Sequence, residues 1–293
     1  MIYTIENEYL SVSVTTWGAQ VCSAVRKCDG VEHIWQADAS VWGYHAPILF
    51  PWCGKLTGGR FEVDGRSYEG KQHGFARTSE HRFVRQTADE IELELTDSPE
   101  TLAVWPFRFR LASIFRLEGD RLIHTLQVEN RNEGPMPYGI GYHPGFALPF
   151  DDAHTCADYE FRFDIPQSPL LIDCMPTGLV NGKCGYYGGN LTAIPVTEDL
   201  FANDSLCMGN LTAKTLGIYE KGSGRGVECE ISGFPYTLIW SKPDYPMPFV
   251  CIEPWLSLPG AEGGAVDWFE KPAAAVLQPG QVNSCSLVTR FVR

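Results

Sequence analysis

The chain has 293 residues, 44% of them hydrophobic and 20% charged, which supplies enough apolar material for a sizeable core and excludes general disorder. Asp and Glu outnumber Lys and Arg by 36 to 23, and the resulting charge of −13 repels polyanions, so nucleic acid is excluded as an expected partner. Its 29 glycines and 20 prolines exclude a helix bundle and favour strands joined by many turns, while the length fits either two average domains or one large all-β domain.

Met1–Glu8 carries neither a basic n-region nor an apolar h-region, so a first strand is expected there in place of a secretory leader. A further strand is expected over Ser11–Val14, and Asp29-Gly30 and Asp64-Gly65 are hairpin turn signals. Ile91–Thr96 alternates apolar and acidic residues, the pattern of a half-buried strand. Phe107–Glu118, Gly119-Asp120 and Arg121–Asn130 read as two long strands around a tight turn. Strands are also expected over Val227–Ile231, Tyr236–Trp240 and Ser284–Phe291, with a loop and no domain boundary at 243–248. Gly-Asn-Leu-Thr-Ala stands at both 189–193 and 209–213, which chance or a shared turn type accounts for. Strands connect to strands throughout and no long stretch keeps helical period. The expectation is therefore an all-β chain with a short helix or two, folded as one large antiparallel β-sandwich over residues 1–293.

No apolar run is long enough to cross a bilayer, so no membrane partner is expected. Of the ten cysteines no two are closer than six positions, which removes C-x-x-C pairs, and no histidine pair has metal-helix spacing. Reduced thiols, a cytoplasmic location and no metal follow as expectations. Gly139-Ile140-Gly141 is followed by glycine at 145 and by no helical pattern, so it is not a dinucleotide fingerprint. Gly-Lys-Ser/Thr and Gly-x-Ser-x-Gly are absent.

The candidate chemistry therefore rests on single side chains. His124 shares strand parity with Leu122, Leu126 and Val128 and is expected in the core; His33, His45, His81 and His154 are expected to pack or sit at the surface. His73, in Gln72-His73-Gly74-Phe75-Ala76-Arg77, and His143, in Gly141-Tyr142-His143-Pro144-Gly145-Phe146, lie among glycines, where backbone can approach a ligand closely. Each is either functional or packed. Glu253, ending the apolar run Phe249–Ile252 beside Pro254-Trp255, is either a base whose pKa burial raises or a strand-end surface charge.

Taken together, His-Gly-Phe-Ala-Arg at 73–77, Gly-x-His-Pro-x-Phe at 141–146 and Ile-Glu-Pro-Trp at 252–255 carry a family resemblance. Asn7–Gly18, Pro47–Pro51, Gly54-Lys55-Leu56 and Gly59-Arg60-Phe61 extend it over nearly the whole chain. The chain resembles the aldose 1-epimerases, or galactose mutarotases, above all the short bacterial branch associated with lactose and galactose use. That resemblance implies a β-sandwich of the supersandwich type, no cofactor, a free monosaccharide as substrate, and a monomer or homodimer. It also implies roles: Glu253 as base at the C1 hydroxyl, His143 as acid at the ring oxygen, and His73 bonded to that oxygen or holding the sugar in register. A base and an acid on opposite sides of the C1–O5 bond are the minimum apparatus for ring opening. Such a pair is expected to work with the Glu253 pKa below, and the His143 pKa near or above, the working pH.

Five further residues are expected at the sugar. Lys55 stands where the family carries an arginine and offers one compact charge for a planar fork. Arg77 either orients the site or pairs with an acid, and Trp255 either stacks on a pyranose or belongs to the core. Asn203 and Asp204 resemble the region from which longer mutarotases supply a sugar-binding aspartate. Two other readings stay open, a mutarotase of hexose 6-phosphates and a non-catalytic sugar-binding protein. The first calls for a cationic cluster, for which Lys55, Arg60, Lys71 and Arg77 are the candidates.

Overall fold

The structure, a computed structural model, describes residues 1–243, 246–264, 266–271 and 273–293. Its strands form a nine-stranded and an eight-stranded sheet, a four-stranded N-terminal sheet and two small hairpin-sized sheets. Every strand pair is antiparallel; the bridges Phe50 to Gly74, Glu62 to Asp267 and Val180 to Ala261, outside the strands, are parallel. One contiguous apolar cluster takes Val12 and Val14 from the four-stranded sheet, Leu111, Phe115 and Leu126 from the nine-stranded sheet, and Ile239, Val250 and Ile252 from the eight-stranded sheet. That shared core makes the sheets layers of a sandwich. Among the described residues the helical content is one short α-helix, Pro99–Val104, capped by Ser98, with a few 3-10 turns.

The long hairpin forms as its pattern dictates. Phe109–Glu118 and Arg121–Asn130 pair throughout, and the Glu118 to Arg121 pair leaves Gly119 and Asp120 as a two-residue turn. At Asp64-Gly65 both residues take positive φ, 50° and 71°, as a type I′ turn requires. Asp29-Gly30 behaves differently: Arg26 pairs with Val31, so four residues form the loop. The Asp29 carboxylate accepts from the Arg26 guanidinium inside it, and that bond shapes a wider turn than the dipeptide alone suggests. The two Gly-Asn-Leu-Thr-Ala copies share a turn geometry, with Asn190 and Asn210 at φ 56° and 53°. Of the 243–248 loop, 244 and 245 lie outside the described residues.

Glu90–Thr96 is a strand, but it is buried on both faces. Glu92 and Glu94 are covered by Arg110, which donates to both at 2.7 and 2.8 Å, with Arg85 and Arg82 closing from the neighbouring strand. Alternation identified the strand; the arginines that bury its acidic face come from two other segments of the sheet.

His124 lies in the core, its ring stacked on Phe115 at 4.0 Å between centroids. His33 and His81 are buried as well. Burial drives His33 and His81 down to about 4 and His124 down to about 3, from an ordinary 6.5. These values lie below that of the unfolded chain, so the unfolded chain binds protons first. Their stabilisation is complete above pH 6.5 and is lost as pH falls through the window down to about 4 for His33 and His81 and about 3 for His124. At pH 5 each histidine is expected to cost on the order of 1–2 kcal/mol. The urea midpoint should fall steadily from pH 7 to pH 5, and His124→Phe should make that fall shallower; identical slopes for the two proteins would remove His124 from the account.

Candidate active site

Glu253 sits on the strand Phe249–Trp255, next to Tyr236–Trp240 in the eight-stranded sheet. Alternation turns Val250 and Ile252 into the main core and leaves Cys251, Glu253 and Trp255 on the opposite face. Two short segments pair with the same strand: Gly141 faces Trp255 and Gly145 faces Cys251. Continuing that register sets His143 directly opposite Glu253, and the His143 Nε2 and Glu253 Oε2 atoms are 3.2 Å apart. His143 and Glu253 thus form a cross-strand pair of one antiparallel ladder.

The glycines beside His143 serve neighbouring indoles. A Cβ on Gly141 would lie 2.7 Å from Trp255 Cδ1, and one on Gly145 would lie 2.8 Å from Trp42 Cζ3. Trp42 stacks on the His143 imidazole at 5.1 Å, and Trp240 meets it edge-on at 5.7 Å. The ring is therefore clamped by aromatic faces, and its orientation is set by packing.

His73 arrives from a different part of the chain. Gly74 bridges to Phe50, whose carbonyl accepts from the Phe75 and Ala76 amides, and a Cβ at Gly74 would fall 2.1 Å from that oxygen. His73 itself takes φ 68°. Its amide donates to the Gly54 carbonyl at 2.9 Å, and its Nδ1 accepts from the Gly54 amide at 3.0 Å. With Nδ1 accepting, the neutral ring carries its proton on Nε2, which lies 3.1 Å from the Gln72 side-chain amide and donates there if the amide oxygen faces it. Its ring stands perpendicular to His143 at 5.6 Å and nearly so to Trp255 at the same distance.

These three side chains line a cavity of about 220 Å³ together with Arg77, Asp204 and Trp255. Trp42, Gln72, Ser205, Leu238 and Trp240 complete its wall. Arg77 donates to the Gln72 carbonyl at 3.0 Å and lies over the Tyr44 ring, while its Nε is buried with no hydrogen-bond partner. Trp255 serves both alternatives, bordering the cavity and packing into a small cluster with Leu49, Cys53 and Leu238. Asn203 borders an adjoining cavity of about 660 Å³, which shares Asp204 and Ser205 with the first. Lys55 is exposed outside the wall, its Nζ donating to the Thr177 carbonyl at 2.9 Å.

The protonation of the central pair differs from the expected one. Burial pushes His143 down to about 3, helped by the Arg77 charge. Burial likewise pushes Glu253 well above the usual carboxylate range, reinforced by Asp204. Mutual attraction at 3.2 Å favours carboxylate and imidazolium, and burial of both groups opposes it. Burial favours the neutral form of each, with a proton on Glu253 and none added to His143. His73 is also pushed well below its ordinary value by burial.

His143, Cys251 and Glu253 bring three donor atoms within 4.8 Å of one another, a set that could address a metal ion. Burial holds the Cys251 thiol firmly protonated, which sets it against that role, because a thiolate is the ligand form. A second group, Asp151, His154 and Glu220, is closed by Arg225, which pairs with both carboxylates.

With this geometry in view, the comparisons with known proteins are decisive on kinship. A family model described as aldose 1-epimerase matches residues 1–256, a span that includes every residue of the cavity wall. The chain belongs to the aldose 1-epimerase family. Among its relatives, the chromosomal protein LacX of Lactococcus lactis subsp. lactis is 29% identical over 289 residues, covering 95% of each chain. The crystal structure of a galactose mutarotase related enzyme from Lactobacillus acidophilus is 28% identical and superposes with a TM-score of 0.94 over 100% of this chain and 98% of that one. A galactose mutarotase-like protein from Lactobacillus casei ATCC 334 is 27% identical with a TM-score of 0.92, over 99% and 100%. The resemblance carried by the three sequence motifs thus extends to the whole architecture of this aldose 1-epimerase family member.

Trp42, Trp240, Gln72, Ser205 and Leu238 join the wall beyond the eight residues expected at the sugar. Gln72 precedes His73 in its motif, and the aromatic density of Trp35–Tyr44 is a signal for Trp42. Nothing local marked Leu238 or Ser205, which reach the cavity through strand pairing and loop placement.

Proposed function

We propose that this protein is an aldose 1-epimerase in activity as well as in family, interconverting the α and β anomers of a free hexose such as galactose or glucose in the cytoplasm. The observation that carries this reading is the buried His143–Glu253 contact at 3.2 Å on the wall of a cavity the size of one sugar ring. Ring opening needs one group that takes the C1 hydroxyl proton and one that gives a proton to the ring oxygen. A pair with a single shared proton meets that count. Transfer of the proton from Glu253 to His143 yields carboxylate and imidazolium; Glu253 then accepts from the C1 hydroxyl while His143 donates to the ring oxygen. Rotation about C1–C2 and closure with the roles reversed return the pair to its starting state. His73, a neutral Nε2–H donor, holds the ring oxygen, and Arg77, with its unpartnered Nε, takes a ring hydroxyl.

Charge supports a free sugar over a phosphorylated one. Among the described residues Arg77 is the cation on the wall of the smaller cavity, and the larger one is bordered by Asp173, Asp199 and Asp204 with no Lys or Arg. Such a surface repels a phosphate dianion. The test is polarimetry of freshly dissolved α-D-galactose and α-D-glucose with glucose 6-phosphate in parallel. Faster equilibration of the free sugars is the expected result; acceleration of the phosphate sugar alone would transfer the reading to hexose 6-phosphates. Saturable binding with no acceleration would leave a sugar-binding protein.

A further inference from the structure

The mechanism uses none of the ten cysteines, all of which are free, yet two of them face each other beside the site. The strand Leu170–Ile172 pairs with Leu206–Gly209 through Leu170 to Gly209 and Leu171 to Met208. Continuing that register sets Ile172 opposite Cys207, and Cys174, two residues further, on the same face and diagonal to it. Both thiols border the 660 Å³ cavity, Cys174 half-buried and Cys207 buried. Contact with Cys207 holds the Cys174 thiol below its ordinary pKa, and contact with Cys174 together with burial pushes Cys207 well above it.

We propose that Cys174 and Cys207 form a reversible modification site that a low-molecular-weight disulfide, such as oxidised glutathione, converts to an intramolecular disulfide, and that this bond reshapes the wall shared with the sugar cavity. The Cys207 thiol stabilises the Cys174 thiolate and favours it as the attacking group. That thiolate attacks one sulfur of the oxidant, forming a mixed disulfide and expelling one glutathione thiolate. Cys207 gives up its proton and attacks the Cys174 sulfur of the mixed disulfide, expelling the second. Two electrons pass to the oxidant, and the two protons lost by the cysteines end on two glutathione thiols.

The surroundings permit the closure. Cys174 lies near the start of the loop 173–183, outside the strands, and the loop's ends meet through the Asp173 amide and Lys183 carbonyl at 3.0 Å while Thr177 and Val180 tie its middle to Lys55 and Ala261. Shrinking a thiol contact to a bond of about 2 Å draws this loop against the segment carrying Asp204 and Ser205. Those two residues border both cavities. The effect on sugar rests on the proposed function; formation of the disulfide does not.

The test treats the full chain with oxidised glutathione, then alkylates and maps its peptides by mass spectrometry, and measures mutarotation of galactose before and after. The expected result is a Cys174–Cys207 linked peptide that disappears with dithiothreitol, and a galactose KM that rises several-fold with little change in kcat. Cys174→Ser should match the unmodified protein under reducing conditions and ignore the oxidant. Absence of the linked peptide, or an oxidant effect that persists in Cys174→Ser, overturns the site. A linked peptide with an unchanged KM overturns its coupling to the sugar cavity. A reduced protein that turns over no aldose defeats the functional reading alone, since the peptide map still decides the disulfide.

Discussion

Glu253→Gln is expected to slow anomer exchange by at least about 100-fold while leaving the fold intact. Glutamine keeps the shape of the side chain, but it can neither release nor accept the proton that the reaction moves. Structural damage should be small for a physical reason. Burial drives both members of the pair toward their neutral forms, so removing the carboxyl leaves no stranded charge in the cavity wall. Polarimetry on galactose, with the urea midpoint measured alongside, separates the two effects. A folded variant with an unchanged rate removes Glu253 from the chemistry.

His143→Phe should cost a similar factor, at least about 100-fold, for the complementary reason. Phenylalanine preserves a ring stacked on Trp42 and set edge-on to Trp240, and it deletes both nitrogens. Because the two residues share one proton, the double variant Glu253→Gln with His143→Phe should be scarcely slower than either single variant. Independent, multiplying losses would contradict a shared-proton pair. The pH profile of the unaltered protein carries the same signature. A second proton enters the pair only as pH falls toward about 3, and the shared proton leaves only above the raised Glu253 value. The rate should therefore hold as pH falls from neutrality to about 5, the range in which an ordinary imidazole of pKa near 6.5 would take up a proton. A drop centred near 6.5 would mean that His143 titrates as an exposed imidazole.

The sequence by itself determined the features that depend on neighbours in the chain. Period-two alternation located Glu90–Thr96 and the long hairpin, since side chains on a pleated strand alternate faces wherever the strand lies. Parity with Leu122 and Leu126 put His124 in the core. The three motifs named the family and with it the catalytic candidates, because short patterns around Glu253, His143 and His73 are distinctive even when their spatial relation is unknown. Only the tertiary structure decided where those candidates lie relative to one another. The register that sets His143 against Glu253 joins strands more than a hundred residues apart, and the indoles that fill the gaps at Gly141 and Gly145 come from Trp255 and Trp42. The same holds for Lys55, which reaches Thr177 and stays outside the wall. The sign of the pKa shifts was likewise beyond the chain pattern. Proximity of opposite charges argued one way and desolvation the other, and which prevails depends on how much water the assembled cavity excludes, a property of packing in three dimensions.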